Sequence, residues 1–185
     1  MLIAGLGNPG PAYRSSRHNL GFRVADAFAE KMGIRCHTER WRGVTGSAGI
    51  QGKMITVLKP LTYMNLSGLS VRTALEGLGL GPRDLLVVHD DMDLDLGRKR
   101  IRLQGSSGGH RGVQSIIDSL GTEEFARLRI GIGRPPEGVD PMDFVLGAFM
   151  PAEEEVMNGS VEESVDAIAA IIAGGYEYAM SRYNS

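Results

Sequence analysis

The chain opens with a short apolar run, residues 2–6, which a cluster of glycine and proline residues ends at once. An uncharged run of this length predicts a strand that is buried within a sheet. Glycine and proline at positions 7–11 combine permissive and fixed φ angles, so the backbone must turn there. A helical pattern begins near residue 19. The end of the strand and the start of this helix should therefore meet at one rim of a sheet, where open α/β sheets bind ligands.

Segments with strand and helix patterns alternate along the rest of the chain. This alternation predicts one domain over residues 1–185, an α/β fold in which a three-layer α/β/α sandwich surrounds a twisted mixed sheet. Further strands are expected at residues 44–50, 54–58, 85–88, 98–103 and 127–133. Ser67 or Ser70 should cap the second long helix, and a capping box of Ser160 and Glu163 should start the last one.

The composition argues against several classes of protein. Hydrophobic residues make up 42% and charged residues 23% of the chain, which are ordinary values for a globular protein. No apolar stretch approaches the length of a membrane span, and the N-terminus has no charged leader of the kind that begins a signal peptide. Cys36 is the single cysteine, so the chain can form no internal disulfide. We therefore expect a cytoplasmic protein.

Charge is distributed unevenly, although the net charge is only −2. Between residues 98 and 134 there are eight Lys and Arg and three Asp and Glu, whereas residues 135–185 carry ten acidic residues and one arginine. This asymmetry indicates a basic surface for a polyanion and an acidic segment directed elsewhere. Two solvated faces of opposite charge explain the pattern equally well. Strand alternation places Arg98, Arg100 and Arg102 on one face, where they could bind phosphates.

The catalytic signal in the chain is a histidine paired with a carboxylate. The four histidines lack the spacing of a metal site, and no Gly-x-Ser-x-Gly motif is present. His18 should lie at the start of a helix and Asp90 at the end of the most apolar strand, as a general base and its orienting acid require. A single histidine is more often structural. The acidic residues 90–95 offer an alternative, a Mg²⁺ site, but no phosphate-binding loop accompanies them.

A glycine motif, Gly5-x-Gly7-x-x-Gly10, matches the dinucleotide-binding fingerprint. In that fingerprint a helix begins inside the motif, and its amide groups bind the pyrophosphate. Here Pro9 and Pro11 remove two amide donors, and the helical pattern begins several residues later. The motif thus supports a dinucleotide-dependent oxidoreductase only weakly, and a titration with NAD would test that function.

Six sequence blocks occur in order along nearly the whole chain. They are residues 5–10 with Tyr13, residues 17–19, residues 59–60 with 62–68, residues 89–93, residues 108–112 and residues 127–133. In this combination the chain resembles the bacterial peptidyl-tRNA hydrolases. The resemblance implies a monomeric esterase without metal or cofactor. Such an enzyme cleaves the ester between the peptide and the terminal ribose of peptidyl-tRNA, and so recycles tRNA released prematurely from ribosomes.

The resemblance also implies roles for individual residues. His18 matches the catalytic base, and Asp90 matches the aspartate that orients it. Arg98, Arg100, Arg102 and Arg129 match or adjoin the family's tRNA-binding positions. The implied substrate-binding positions are Asn8, Tyr13, Tyr63, Met64, Asn65, His110 and Arg111, the last of which stands where the family has an asparagine.

One further function stays open from the sequence, an RNA-binding protein on the same scaffold that has lost catalysis. The presence of His18, Asp90, Asn8 and Asn65 argues against it. Release of free tRNA from N-acetyl-aminoacyl-tRNA would distinguish the two functions.

Overall fold

The computed structural model describes residues 1–184, which form a seven-stranded mixed sheet with helices on both faces. The strand order is β2-β3-β4-β1-β5-β7-β6. The strands are β1 (Leu2–Gly5), β2 (Thr38–Arg40), β3 (Gly43–Ile50), β4 (Lys53–Pro60), β5 (Leu85–Asp91), β6 (Lys99–Arg102) and β7 (Ala126–Gly131). The helices are α1 (Leu20–Lys31), α2 (Ser67–Leu78), α3 (Arg111–Leu120), α4 (Pro141–Leu146) and α5 (Pro151–Tyr183). Within residues 1–184, no helix has both the length and the apolarity of a membrane span.

The sheet is covered on both faces. Its central strands β4, β1, β5 and β7 run parallel, and β3 and β6 pair antiparallel with their inner neighbours. On one face α1 and α5 bury an apolar cluster that includes Phe28 and Ile168. On the other face α2 and α3 bury a second cluster that includes Val71 and Ile116. The predicted α/β/α sandwich around a mixed sheet is thus confirmed.

Close contacts hold the start of α1 against the ends of β1 and β5. A Cβ on Gly5 would lie 2.2 Å from the carbonyl oxygen of Gly21, so no larger side chain fits at this crossing. The backbone N–H of Phe22 donates to the carbonyl of Leu6 (3.1 Å), whose own N–H donates to the carbonyl of Val88 (3.0 Å). The strand end and the helix start therefore meet at one rim, as the sequence predicts.

Two tight turns join β2, β3 and β4, and the turn between β2 and β3 also bonds Leu61 and Ser70. β3 and β4 form the predicted hairpin across Gln51-Gly52, whose φ angles of 49° and 76° suit a type I′ turn. Trp41-Arg42, with φ angles of 54° and 56°, joins β2 to β3. The carbonyl of Trp41 accepts a hydrogen bond from the Ser70 hydroxyl (2.6 Å), and that of Arg42 accepts one from the N–H of Leu61 (2.8 Å).

The predicted start of the last helix is wrong. α5 begins at Pro151, well before the expected capping box, and Glu153 accepts a hydrogen bond from the N–H of Met150 (2.6 Å). Ser160 lies inside the helix, where its hydroxyl donates to the carbonyl of Gly97 (3.1 Å). A proline in the first turn followed by an acidic side chain is itself a helix-start signal. Ser160 and Glu163 have the spacing of a capping box, but inside the helix the Ser160 hydroxyl bonds a distant carbonyl instead of capping a helix end.

The expected serine cap of α2 is also wrong. Leu66 precedes the first residue of α2, and no side chain caps this end. The hydroxyl of Ser67 donates to the carbonyl of Met64 (2.8 Å), whereas that of Ser70 donates to the carbonyl of Trp41 in the turn between β2 and β3. A short 3-10 turn, Met64–Leu66, leads directly into the helix and takes the place of a cap.

A break in α5 leads the chain end to the edge of the sheet. Gly175 has φ and ψ angles of 83° and 177°, a region open almost only to glycine. Beyond the break the chain reaches Asn184, whose side-chain amide pairs with the backbone of Ile101 in β6. The N–H of Ile101 donates to Asn184 Oδ1 (2.7 Å), and Asn184 Nδ2 donates to the Ile101 carbonyl (3.1 Å). Because β6 is an edge strand, this amide pairs groups that a neighbouring strand would otherwise bind.

Candidate active site

The two residues expected to carry catalysis meet at the rim of the sheet. His18 lies in the 3-10 turn before α1, and Asp90 lies near the end of β5. Their exposed fractions are only 7% and 2%. His18 Nδ1 is 3.0 Å from each carboxylate oxygen of Asp90. Because an ionised carboxylate only accepts hydrogen bonds, Nδ1 carries the proton, and the lone pair of His18 Nε2 is left to accept another.

A second histidine binds the same carboxylate. His110 immediately precedes α3, and its Nε2 is 3.0 Å from Asp90 Oδ1. Its Nδ1 accepts hydrogen bonds from the backbone N–H groups of Gly112 (3.1 Å) and Val113 (3.2 Å). A ring nitrogen that accepts amide hydrogens carries no proton of its own. The start of α3 therefore selects the tautomer in which His110 Nε2–H donates to Asp90.

The surroundings keep the Asp90 carboxyl ionised. Burial alone would raise its pKa, but attraction to the His18 and His110 rings and hydrogen bonds from both hold that pKa well below its usual range. Burial and the neighbouring His110 lower the pKa of His89 well below its usual value. His89 Nδ1 is 2.7 Å from the carbonyl oxygen of Asp90, and its ring lies edge-on to that of His110, with centroids 4.6 Å apart. Three histidines thus surround Asp90.

A cleft of about 350 Å³ opens beside these residues. It is lined by His18, Asp90, His110 and Arg111, and also by the first turns of α4. Arg111 is the one Lys or Arg in this lining, and its side chain is exposed. A cleft of this size with a few convergent polar groups is typical of a site that binds a small molecule or the end of a larger one.

The arrangement does not suit a metal ion. Among residues 1–184, His18, Asp90 and His110 are the one group whose potential ligand atoms converge, within 4.8 Å of one another. A histidine ligates through an unprotonated nitrogen, but the His110 nitrogen that faces Asp90 carries the proton. In the alternative Mg²⁺ site of residues 90–95, Asp91 is paired with Arg129 and Asp93 with Arg134.

Asn8 is held in an orientation that leaves its amide N–H groups for a ligand. Its Oδ1 accepts a hydrogen bond from the backbone N–H of Met64 (2.8 Å), which assigns the other amide atom as the donor. Its backbone N–H donates to Asn19 Oδ1 (2.7 Å), and Asn19 Nδ2 donates back to its carbonyl (3.0 Å). Asn19 directly follows His18, so these two bonds tie the loop after β1 to the histidine. Met64 is buried and packs against Gly112.

The remaining substrate-binding candidates lie at the surface. Tyr13 and Tyr63 meet edge-on with ring centroids 6.5 Å apart, and the side chain of Tyr63 is well exposed. Asn65 is exposed in the 3-10 turn that follows. None of these three residues lines the cleft, and neither does Asn8 or Met64. The structure therefore brings His110 and Arg111 to the cleft, and groups Tyr13, Tyr63 and Asn65 elsewhere.

One face of the sheet carries three of the arginines expected to bind tRNA, Arg100, Arg102 and Arg129, together with Arg127. The fourth, Arg98, directly precedes β6. We call these five residues the arginine face. Arg100 lies opposite Arg129, and Arg102 lies opposite Arg127, in the antiparallel pair of β6 and β7. Ile101 points into the apolar cluster under α5, so the arginines point to the other face. Like charges directly opposite each other destabilise a sheet. Their presence here concentrates positive charge on this face of the sheet.

The charged side chains on β6 and β7 differ in whether an acidic residue is paired with them. Arg129 is paired with Asp91, whereas Lys99 points the opposite way and binds Glu163 of α5 (2.6 Å). The acidic helix and the arginine face therefore lie on opposite sides of the sheet. Among residues 1–184, no acidic side chain pairs with Arg98, Arg100 or Arg102, and Arg127 donates to the backbone carbonyls of Ser106 and Glu123 instead.

Comparison with known proteins agrees with this geometry. The sequence model of the peptidyl-tRNA hydrolase family matches residues 2–185. The chain belongs to this family. The peptidyl-tRNA hydrolases of Symbiobacterium thermophilum and Bacillus subtilis are 46% and 42% identical to it, each match covering 100% of the chain and 98% of the relative. The crystal structure of peptidyl-tRNA hydrolase from Acinetobacter baumannii, 34% identical, aligns with a TM-score of 0.94 over 100% of this chain and 94% of that chain.

These comparisons confirm the resemblance found in the sequence and identify an ester hydrolase. In this peptidyl-tRNA hydrolase the glycine motif near the N-terminus serves packing. No helix begins inside it, since the first helical turn is Pro11–Tyr13 and α1 starts at Leu20. Gly5 lies at the crossing with α1, and a Cβ on Gly7 would lie 2.7 Å from the ring of Phe22. Dinucleotide binding therefore has no support in the fold.

Sequence reasoning gave no role to four residues around the hydrolase site. Arg17 and Asn19 flank His18, and His89 precedes Asp90, so all three lay inside blocks that were already singled out. Arg127 shares its strand face with Arg129, but it is buried and donates to the carbonyl of Ser106 (2.7 Å). The sequence could have indicated a role for them only through their positions near His18, Asp90 and Arg129. Their partners could not be read from the sequence.

Proposed function

We propose that this protein hydrolyses the ester bond of peptidyl-tRNA with a water molecule activated by His18 and Asp90. Membership in the peptidyl-tRNA hydrolase family supports the substrate and the reaction class. The observation that carries the mechanism is the pair of 3.0 Å contacts from His18 Nδ1 to the Asp90 carboxylate beside the cleft. These contacts direct Nε2 of the same ring to act as a base.

In the first step a water oxygen attacks the ester carbonyl carbon while its proton passes to His18 Nε2. The positive charge that forms on the imidazole is stabilised by the ionised Asp90. The carbonyl oxygen becomes an oxyanion. The amide N–H groups of Asn8, whose Oδ1 is held by the N–H of Met64, are candidate donors for the oxyanion or a peptide carbonyl, and so is the amide of Asn65. One well-aimed donor of this kind contributes about 3 kcal/mol to the transition state.

In the second step the tetrahedral intermediate collapses and the bond between the carbonyl carbon and the ribose oxygen breaks. The proton on His18 Nε2 passes to that ribose oxygen. The products are a peptide with a free carboxyl group and tRNA with a free terminal hydroxyl group. We propose that no metal ion takes part, because the protonated Nε2 of His110 makes the donor set unsuitable for one.

The arginine face supplies the affinity for tRNA in this proposal. Arg98, Arg100 and Arg102 would bind backbone phosphates without reading bases. Arg129 is adjacent to His89 in the β5–β7 register, so the arginine face and the candidate active site are neighbours on the sheet. Tyr13, Tyr63, Met64, His110 and Arg111 would surround the peptide and the end of the tRNA. A substrate made by ribosomes implies that the enzyme acts in the cytoplasm.

Release of free tRNA from N-acetyl-aminoacyl-tRNA tests the mechanism. We expect His18→Ala to lower kcat by about 10²- to 10⁴-fold, the usual contribution of a general base. Asp90→Asn should also lower kcat severely, because the histidine loses its fixed tautomer. His37→Ala is the matched control, since His37 is exposed and bonds only its local backbone. Treatment with EDTA should leave the wild-type rate unchanged.

Three results would contradict the roles given to His18 and Asp90 or the hydrolytic function itself. Near-wild-type turnover by a folded His18→Ala variant would remove His18 as the base. Loss of activity in EDTA that Mg²⁺ restores would assign Asp90 to a metal site instead. Tight tRNA binding by the wild type without any ester cleavage would favour the RNA-binding function.

A further inference from the structure

A buried arginine stands directly before the proposed catalytic base. Arg17 is the first residue of the 3-10 turn that carries His18, and only 6% of it is exposed. A guanidinium removed from water is costly unless it is paired and hydrogen-bonded. Its Nη2 donates to Glu153 Oε2 (2.6 Å), and its Nη1 donates to the carbonyl of Ala148. Both partners belong to the chain just before or at the start of α5.

Aromatic rings complete the surroundings of this guanidinium. Its Cζ lies 4.3 Å from the ring centroid of Phe144 in α4 and 5.0 Å from that of Phe149. A cation over an aromatic face gains electrostatic attraction, and more so when it is shielded from water. A backbone hydrogen bond adds to these contacts, since the N–H of Arg17 donates to the carbonyl of Gly147 (2.9 Å). We call Arg17, Phe144, Ala148, Phe149 and Glu153 the Arg17 joint.

The Arg17 joint connects two parts of the candidate active site. One part is the turn that carries His18. The other is α4, whose first turns line the cleft and whose Phe144 packs on the guanidinium. A helix of six residues has little stability of its own, so tertiary contacts must set its position. The separation between His18 and this wall of the cleft therefore depends on contacts made by Arg17.

We propose that Arg17 is a positioning residue for His18 and that the Arg17–Glu153 ion pair holds His18 and the α4 wall at their working separation. This inference rests on the proposed function of His18. A displacement of about 1 Å can cost a rate of about 10²-fold in a site that depends on geometry. Loosening the joint should thus reduce kcat, although no atom of Arg17 needs to touch the substrate.

Glu153→Gln tests the proposal with the smallest change. A glutamine keeps an oxygen for the N–H of Met150, so the start of α5 is preserved while the charge on the Arg17 partner is lost. We expect kcat to fall at least tenfold while KM for N-acetyl-aminoacyl-tRNA changes less than twofold. Arg17→Lys, which keeps the charge but not the planar fork, should show a similar loss.

The matched control is the neighbouring ion pair. Arg23 of α1 binds Glu154 (2.9 Å), so this pair also joins the N-terminal region to the start of α5, but it is more exposed and does not adjoin His18. Glu154→Gln should leave kcat unchanged. A double variant, Arg17→Lys with Glu153→Gln, should lose no more activity than the worse single variant, because both changes break one interaction.

A spectroscopic measurement separates positioning from general destabilisation. The Nδ1–H proton of His18 and the Nε2–H proton of His110 both donate to Asp90, so both should give low-field imidazole resonances. In Glu153→Gln we expect the His18 resonance to broaden or disappear while that of His110 persists. Loss of both signals, or of the folded state itself, would show a structural role alone and overturn the proposal.

Equal kcat values in Glu153→Gln and Glu154→Gln would also overturn it. Failure of the inference can be told from failure of the proposed function. If His18→Ala is inactive and Glu153→Gln behaves as wild type, only the role of Arg17 is refuted. If His18→Ala is active, the proposed mechanism itself is refuted.

Discussion

At the scale of single residues, three histidines beside one carboxylate differ because their hydrogen-bond partners differ. His110 receives two amide hydrogens on one nitrogen, which forces the other to be a donor. His89 lies close to the carbonyl oxygen of Asp90, and its Nε2 is buried with no hydrogen-bond partner among residues 1–184. Of the three, only His18 combines a ring nitrogen left free to accept a proton with a place in the lining of the cleft. This difference supports its proposed role as the base.

His89 should make the folded state sensitive to acid. Its pKa is well below the ordinary value of 6.5 in the folded protein, so below pH 6.5 the unfolded chain binds a proton that the folded chain does not. The free energy of unfolding therefore decreases as the pH is lowered below 6.5, and it stops decreasing when the pH has passed below the folded-state pKa. His89→Asn keeps an N–H for the Asp90 carbonyl and cannot titrate. We expect this variant to lose less stability between pH 7 and pH 5, by up to about 2 kcal/mol.

Urea unfolding of both proteins at the two pH values measures this difference. His37→Asn serves as the control, because His37 is exposed and should give the wild-type pH dependence. Equal pH dependence in His89→Asn and the wild type would mean that His89 takes up its proton in the folded protein as readily as in the unfolded chain.

At the scale of elements, β6 is the strand on which tRNA binding should depend. It has only four residues, lies at the edge of the sheet and places two arginines opposite two others. Short strands with like charges across them are weakly held. The side-chain amide of Asn184 supplies two of the hydrogen bonds that an outer neighbour would provide. Asn184 thus supports the strand that carries Arg100 and Arg102 from the outer edge of the sheet.

Asn184→Ala should loosen β6 without affecting catalysis. Removal of the amide takes the partners from the N–H and carbonyl of Ile101, at a local cost of about 1 kcal/mol per lost hydrogen bond. Hydrogen exchange at the Ile101 amide should accelerate by about 5- to 30-fold. We expect a higher KM for the tRNA substrate and an unchanged kcat.

Asn158→Ala is the matched control for this variant, since Asn158 also uses its side chain in α5 but bonds Arg23 on the surface. Unchanged exchange at Ile101 in Asn184→Ala would show that β7 alone holds the strand.

At the scale of the whole molecule, opposite charges are separated by the sheet. The arginine face lies on the side away from α5, which carries most of the acidic residues of the C-terminal region. The net charge of −2 hides this separation. A polyanion such as tRNA would be attracted to one face and repelled from the other, which orients its approach.

Arg100→Ala with Arg102→Ala should weaken tRNA binding and spare the chemistry. Each lost phosphate contact should reduce the slope of log KM against log salt by about one unit. kcat at saturating substrate should stay close to wild type, because uniform binding does not lower the barrier from the bound state. Steady-state kinetics over a range of salt concentrations measures both quantities.

The control for this pair removes two positive charges at the C-terminal end of α1. Lys31 ends α1 and Arg35 follows it, far along the helix from the rim. Lys31→Ala with Arg35→Ala should leave the salt slope unchanged. A collapse of kcat with an unchanged salt slope in the Arg100 and Arg102 variant would assign these arginines to the catalytic machinery instead.

The fold and the family could be predicted from the sequence alone. Strand and helix patterns are local, because the side that a residue presents to the core repeats with the backbone period. The apolar run at residues 85–88 thus predicted β5 and placed Asp90 at its end. Six blocks in order sufficed for the family, and His18 and Asp90 were proposed from their places at a helix start and a strand end as well as from the resemblance. The two helix caps were predicted wrongly because a serine in a cap and a serine with a tertiary partner look alike in sequence.

Only the tertiary structure decided how the nominated groups are held. The orientation of Asn8 depends on Met64, 56 residues away, and the Asp90 carboxylate is bound by His18, 72 residues before it, and by His110, 20 residues after it. The ion pair of Arg17 joins residues 136 positions apart. A hydrogen bond can fix an amide orientation, or stabilise a buried charge, only when folding has brought both partners together. No local pattern contains such a pair, so these features emerge when the chain is folded.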